Sequence, residues 1–273
     1  MKKLRKLLAV GLATVCAVGM LAGCGGSKDN NSADSNDVEN RTTFTVGFDA
    51  EYPPYGFMDE SGEYVGFDLD LAAEVCERNG WELVKTPIDW DAKDHELDAG
   101  TIDCIWNGFT INGREDDYTW SEAYVDNSQV IITKADAGIA KLTDLAGKTV
   151  LVQADSAALA SLESDDLKSV YDSLGELTQV KDYNTALMTL ESGAADAVAL
   201  DKVVAKYYIQ DKEDVFVILD EELSTEQYGI GFKKGNEALR DAVQKTLKEM
   251  VADGTFEKIA TEWDQQDVII LSE

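Results

Sequence analysis

From residue 43 onward the chain switches repeatedly between two hydrophobic periods, and few folds accommodate that order. Phe44-Thr45-Val46-Gly47-Phe48 alternates like a strand and ends at Asp49. Residues 68–79 repeat their apolar positions at helical spacing, with Leu69, Ala72, Ala73 and Cys76 on one face; Asp68 suits the N-cap and Gly80 the C-terminal stop. Residues 81–88 are strand-like again, a short helix is expected near 92–99, and 102–106 form a third strand. A β-α-β-α-β order implies a mainly parallel sheet with helices on its faces.

The alternation restarts after Ser128. Strands are expected at 129–133, 149–152, 177–180, 197–200 and 215–219, with helices notably at 183–192 and 201–209. A last strand at 228–232 leads into helices at 237–252 and 256–263. Two α/β lobes follow from this pattern. Ligands of such folds gather where strand carboxyl ends and their loops converge. The unusual residues fall at those places: residues 49–55, Trp90, residues 106–114, residues 153–157 and Asp201.

The N-terminus carries a separate signal. Lys2, Lys3, Arg5 and Lys6 precede an apolar stretch over 7–21, and Leu21-Ala22-Gly23-Cys24 closes it. Basic residues hold such a start on the cytoplasmic side while the apolar stretch engages the membrane. Small residues leading into a cysteine resemble the lipobox of bacterial lipoproteins, in which the peptide is cut before the cysteine and the thiol carries diacylglycerol. An ordinary signal peptide and an uncleaved helix are the alternatives, and the stretch is short for a span of about 20 residues. Residues 1–23 are therefore read as a lipoprotein signal peptide, Cys24 as the lipidation site and residues 24–42 as a flexible tether. Gly, Ser, Asn and Asp dominate that tether, which has too little apolar surface to offset its ordering entropy. The protein is thus expected outside the cytoplasmic membrane and anchored to it by lipid.

The formal charge of the chain is −29, and removing residues 1–23 leaves 20 basic against 53 acidic residues. Nucleic acid and anionic membrane surfaces are poor partners for such a body. Of the four cysteines only Cys76 and Cys104 belong to it, both among apolar neighbours, and free buried thiols are favoured over a disulfide. The single histidine, His95, stands in a polar helical run, so no histidine-based metal site is expected, and no cofactor.

Asp49-Ala50-Glu51-Tyr52-Pro53-Pro54-Tyr55 stops a strand with two prolines and fixes Tyr52 beyond its end. Trp90 follows another strand and would supply a second aromatic wall, although an aromatic beside proline is more often ordinary packing. Residues 106–114 (WNGFTINGR) read as a strand ending in a polar, glycine-containing turn. Free N–H groups there, the Thr110 hydroxyl and the Arg114 guanidinium would suit a carboxylate. The plainer role for Arg114 is an ion pair with Glu115 or Asp117. Asp201 follows an apolar strand, where it would cap the next helix or, with one oxygen free, receive an ammonium group.

Together these positions resemble the solute-binding proteins of bacterial polar amino acid ABC transporters, over essentially residues 43–268. The resemblance runs through DAEYPPY (49–55), GEYVGFDLDLAAEV (62–75), DWDAKDHELDAGTIDCIWNGFTINGRE (89–115), LAGKTVLVQADS (145–156) and YGIGFKKG (228–235). It implies a two-lobe, periplasmic-binding-protein-like fold of type II, with two crossover strands as hinge. Lobe 1 would comprise residues 43–124 plus 228–273, and lobe 2 residues 125–227. Carried over by position, Tyr52 and Trp90 sandwich the ligand side chain and Asp49 lies beside it. Arg114, Thr110 and the Asn107–Gly108 backbone hold the α-carboxylate with help from Ser156 and Ala157, and Asp201 holds the α-ammonium. A monomeric receptor delivering a polar L-amino acid to an ABC permease is implied. In three places the chain departs from the family pattern: one residue fewer separates Thr110 from Arg114, which bears on the register of Arg114; Asp155 replaces a glycine, so its charge must point away or pair with a basic group, and Ala157 next to it lacks a hydroxyl; and Trp106 is bulky enough to narrow the pocket. An enzyme on the same fold and a sensing or adhesion lipoprotein are the competing classes.

Overall fold

The computed structural model describes residues 38–210 and 212–272. The expected signal peptide, the expected lipidation site Cys24 and most of the expected tether lie outside the described residues. Strand β1 (Thr43–Phe48) leads into a small antiparallel sheet of β2 (Glu51–Tyr52), β3 (Gly56–Met58) and β4 (Tyr64–Val65), followed by helix α1 (Phe67–Asn79). Next come β5 (Glu82–Pro87), α2 (Lys93–Ala99), β6 (Cys104–Thr110), the short β7 (Thr119–Trp120) and the long β8 (Val125–Lys134). A second α/β series holds β9 (Thr149–Gln153), α3 (Ala157–Leu162), α4 (Lys168–Tyr171), β10 (Glu176–Val180) and α5 (Tyr183–Ser192). It continues with β11 (Ala197–Asp201), α6 (Lys202–Ile209) and β12 (Phe216–Ile218). The chain returns through β13 (Ser224–Phe232) and ends in α7 (Glu237–Asp253) and α8 (Thr255–Glu262).

The main sheet has the order β10-β9-β11-β8-β13-β6-β1-β5, with β12 on β8 and β7 on β13. At one end β5, β1 and β6 are parallel, and at the other β10, β9 and β11 are parallel. Each parallel half thus matches the β-α-β reading. The middle does not, because β11/β8, β8/β13 and β13/β6 are all antiparallel. β8 and β13 are the crossover strands, with Val125 opposite Tyr228 and Gln129 opposite Ser224.

Helix α1 shows how sequence becomes packing. Its apolar period buries Leu69, Ala72, Val75 and Cys76, while Gly80 at φ 70° ends it. The N-terminus differs from expectation. Gly66 is the N-cap, and Asp68 is the second residue of the helix, in its first turn and fully buried. Its carboxylate accepts the Gly108 N–H at 2.6 Å and the Tyr124 hydroxyl at 2.8 Å. Asp68 therefore ties α1 to β6 instead of capping the helix. The strand also runs on past Trp106: β6 stays in the sheet and buried through Thr110, and the polar, glycine-containing turn comes at residues 111–114, where the Arg114 N–H donates to the Ile111 carbonyl at 2.9 Å. Trp106 itself is fully buried in the apolar core with Cys104 and the inner face of α1, so it does not narrow a pocket. Cys76 and Cys104 are buried and free. His95 is exposed on α2.

Gly66 has φ 145°, and a Cβ there would stand 2.2 Å from the Tyr55 carbonyl oxygen. Both strain and backbone overlap oppose any side chain. Gly66→Ala is expected to lower stability by about 2 kcal/mol or more, read as a fall in the urea midpoint. An unchanged midpoint would show that the α1 entry is not under this constraint.

Candidate ligand site

Loops from both halves meet at the carboxyl ends of the parallel strands. Asp49, just past β1, is buried; its Oδ1 accepts the Glu51 N–H and its Oδ2 accepts Gln153 Nε2 at 2.6 Å from the end of β9. Burial, opposed by these donors and reinforced by Asp182 and Glu51, lifts its pKa to about 6. The Asn107 side chain accepts the Asp49 N–H at 2.9 Å. Further polar bonds join the halves: Arg114 Nη2 donates to the Asp155 carbonyl at 3.2 Å, and Tyr208 donates to the Glu51 carbonyl at 3.0 Å.

Asp155 meets the condition set by its charge. It sits at φ 56°, a conformation that suits glycine and that aspartate tolerates better than most residues. Its carboxylate pairs with Lys93, whose side chain is only 1% exposed and lies over the Trp90 ring. A buried ammonium without that partner would be costly. Arg114 stacks 5.2 Å from the Phe109 ring centre, and among the described residues it makes no ion pair. The surface pair with Glu115 or Asp117 is not formed.

The aromatic residues divide into two groups. Tyr52 packs against Tyr55 at 6.0 Å and Tyr183 at 6.1 Å, and its hydroxyl is 3.3 Å from that of Tyr228. Trp90 packs edge-on against Phe109 at 5.4 Å. Tyr52 and Trp90 belong to separate aromatic groups, with no described ring contact between them. Gly108, at φ 58°, leaves room for the tyrosines, because a Cβ would lie 3.0 to 3.2 Å from the rings of Tyr52, Tyr228 and Tyr55. Its N–H is committed to Asp68, which corrects the idea of a free carboxylate donor at this residue. Ser156 caps α3 through the Leu159 N–H, and Ala157 is the first residue of that helix.

Asp201 is buried at the N-cap position of α6 but makes no capping bond. Its Oδ1 receives Asn127 Nδ2 at 3.1 Å, Gln129 Nε2 at 2.6 Å and the Tyr228 hydroxyl at 2.5 Å. Beside it lies a carboxylate not anticipated from sequence, Glu226 on β13. Glu226 is buried and accepts the Thr110 hydroxyl at 2.9 Å and both amides at 2.6 Å. Asn127, Gln129 and Glu226 share the inward parity of Val125, Tyr228 and Ile230 along their strands, and that period of two was the signal available.

Three cavities open on these residues, and one of them, of about 370 Å³, is lined by Lys93, Arg114 and Asp155 among others. Another, of about 360 Å³, is lined by Thr110, Arg114, Ala157, Ser161, Ser224 and Glu226 among others. The third, of about 280 Å³, is lined by Asp49, Glu51, Asp89, Trp90, Lys181 and Asp182 with their apolar neighbours. Lys181 pairs with Asp89 at 2.7 Å, leaving the remaining carboxylates of that cavity without a described cation.

Comparison with known proteins agrees with this geometry. Residues 44–266 match the model of the bacterial extracellular solute-binding proteins, family 3. The chain belongs to that family. It is 29% identical over 269 residues to the L-cystine-binding protein TcyJ of Escherichia coli, covering 97% of this chain and 99% of that protein. It is also 29% identical to the arginine-binding extracellular protein ArtP of Bacillus subtilis, over 92% of this chain and 95% of that one. Among solved structures, a histidine-bound substrate-binding protein of an ABC uptake transporter from Streptococcus pneumoniae superposes with a TM-score of 0.79 at 34% identity. That match covers 84% of this chain and 95% of the other. The two-lobe fold with crossover strands is therefore that of the family.

Burial raises Asp49 to about 6, Asp68 to about 7 and Glu226, next to Asp201, to about 8. Unfolded carboxyls titrate near 4. Between those values the unfolded chain has lost protons that the folded chain keeps, so stability falls as pH rises. The urea midpoint of protein stripped of bound solute is expected to drop from pH 5 to pH 8, by several kcal/mol in total on the order-of-magnitude linkage scale. Asp68→Asn should flatten part of the slope. A midpoint rising over that interval would contradict the burial assignment.

Proposed function

We propose that this chain is a lipid-anchored extracytoplasmic receptor, held by Cys24, that binds a polar L-amino acid between its lobes and presents it to an ABC permease. Lobe 1 is taken as residues 43–124 plus 228–273 and lobe 2 as 125–227, so that β8 and β13 enter and leave lobe 2. The reading rests on the cavity of about 360 Å³, which carries a guanidinium, Arg114, and a carboxylate, Glu226, on one lining, with Asp201 behind the latter. A zwitterion complements that pair of charges. Arg114 and Thr110 would take the carboxylate, with Ala157 lining the opposite wall, and Asp201 would take the ammonium. Since these groups come from different lobes, ligand binding energy favours the arrangement in which the lobes meet. The relatives compared above are binding proteins by name, which supports a receptor over an enzyme.

The side chain of the ligand is read from the cavity of about 280 Å³. Asp49, Glu51 and Asp182 surround Trp90 there with one cation, already paired to Asp89. Burial, then Asp182, raises Glu51, so the carboxylates disfavour one another. A cationic side chain relieves that repulsion and an acidic one adds to it. The arginine- and histidine-binding relatives are compatible with this choice.

Thermal shift of protein refolded free of carried solute, against the common amino acids, ornithine and cystine, tests the reading directly. Stabilisation by arginine, lysine or ornithine, with none from glutamate, is expected. A flat response from folded protein would sink the amino acid assignment. Arg114→Ala and Asp201→Ala should each weaken binding at least tenfold, about 1.4 kcal/mol or more. Near-wild-type affinity in both would refute the zwitterion clamp.

A further inference from the structure

The cluster behind the cavity is short of hydrogen. Asn127 Nδ2 has two N–H bonds, yet it lies within bonding distance of Asp201, Glu226 and the Tyr228 oxygen. Gln129 Nε2 has one N–H for Asp201 and one for Glu226, and so has none to spare. No described lysine or arginine pairs with either carboxylate. Tyr183, fully buried against Tyr52, leaves its hydroxyl without a protein partner, as do the amide oxygens of Asn127 and Gln129. Two carboxylates that share donors in a buried site do not both ionise readily. Desolvation, then Asp201, keeps Glu226 protonated up to about pH 8. Of the two acids, only Glu226 lines the cavity of about 360 Å³, which also holds Arg114.

We infer that Glu226 is a second acceptor for the ligand's ammonium, and that the arriving ammonium displaces a proton held between Glu226 and Asp201. The step rests on the receptor reading above. Neutral Glu226 gives its carboxyl proton to solvent, the carboxylate pairs with the incoming ammonium, and charge balances. An ammonium brings three N–H donors where the cluster lacks them. The groups facing Glu226 are Thr110 from β6, Asn127 and Gln129 from β8, Asp201 from β11 and Tyr228 on its own strand. Tyr52, Tyr55 and Tyr183 stand around them, and burial holds all four tyrosines neutral. Asp201 is the one other carboxylate in that set.

Calorimetric titration of L-arginine, L-lysine and L-cystine into the stripped protein at pH 7, in buffers of contrasting ionisation enthalpy, measures the exchange. Roughly 0.5–1 proton should be released per molecule bound, and affinity should climb as much as about tenfold per pH unit below 8. Glu226→Gln keeps the shape of the side chain; it should still bind, about tenfold more weakly, with proton release near zero. Asp49 and Asp68 titrate in the same interval, and comparison with Glu226→Gln separates their share. Binding heat independent of the buffer, or release undiminished in Glu226→Gln, overturns the role of Glu226 and leaves the receptor standing. If none of the three probes binds folded protein, the receptor reading falls and the proton exchange with it.

Discussion

The antiparallel pairing of β8 with β13 is the constraint on which the rest of the molecule depends. It is where the two parallel halves of the sheet join, and backbone pairing to each other and to β11, β12, β6 and β7 holds both strands in place. Because the ladder needs no side chain, the inward positions of these strands are free to be polar. Asn127, Gln129, Glu226 and Tyr228 occupy them. In the function proposed above, hinge and recognition surface are thus the same residues. A group that bonds to them acts on the joint about which the lobes turn, so no separate relay is needed between occupancy and closure.

The buried acids serve two different ends. Asp68 has its own donors, one backbone N–H from β6 and one tyrosine hydroxyl, and it locks α1 onto the sheet. That is a structural carboxylate, complete within the protein. Asp201 and Glu226 divide the same amides between them. Their solvation is incomplete without something more, and a site for a cationic group has that character. The contrast lies in the sharing: the backbone donor of Asp68 serves it alone, whereas the amides of Asn127 and Gln129 are each divided between two acids.

Local chemistry determines which parts of this arrangement can be read from sequence. The helix over Tyr183–Ser192 was legible because Asp182 caps it through the Thr185 N–H and Gly193 ends it in a left-handed turn. The parallel halves were legible from the change of hydrophobic period. Asp68 was misassigned because an aspartate at a helix start has the composition of a cap, and only the approach of β6 turns it inward. β13 begins at Ser224, four residues earlier than expected, since Ser-Thr-Glu-Gln has the makeup of a turn. Glu226 went unnoticed for that reason. Tyr52, Arg114, Thr110 and Asp201 could be nominated through family likeness, whereas the separation of Tyr52 from Trp90 and the commitment of Gly108 depend on packing across long sequence distances.

Lys93 and Asp155 are 62 residues apart and sit on opposite halves, one almost completely enclosed and the other half open. Each makes sense only in the presence of the other: the lysine without the aspartate is a stranded charge, and the aspartate without the lysine is an unpaired charge beside the place proposed for the ligand's carboxylate. The two are therefore one electrostatic unit. A chimera that takes its second lobe from a glycine-bearing relative would inherit an orphaned lysine, and an Asp155 graft into such a relative would bring its repulsion without its remedy. Exchange of ligand preference between members of this family by swapping lobes must carry both positions together, so the smallest transferable piece spans the cleft.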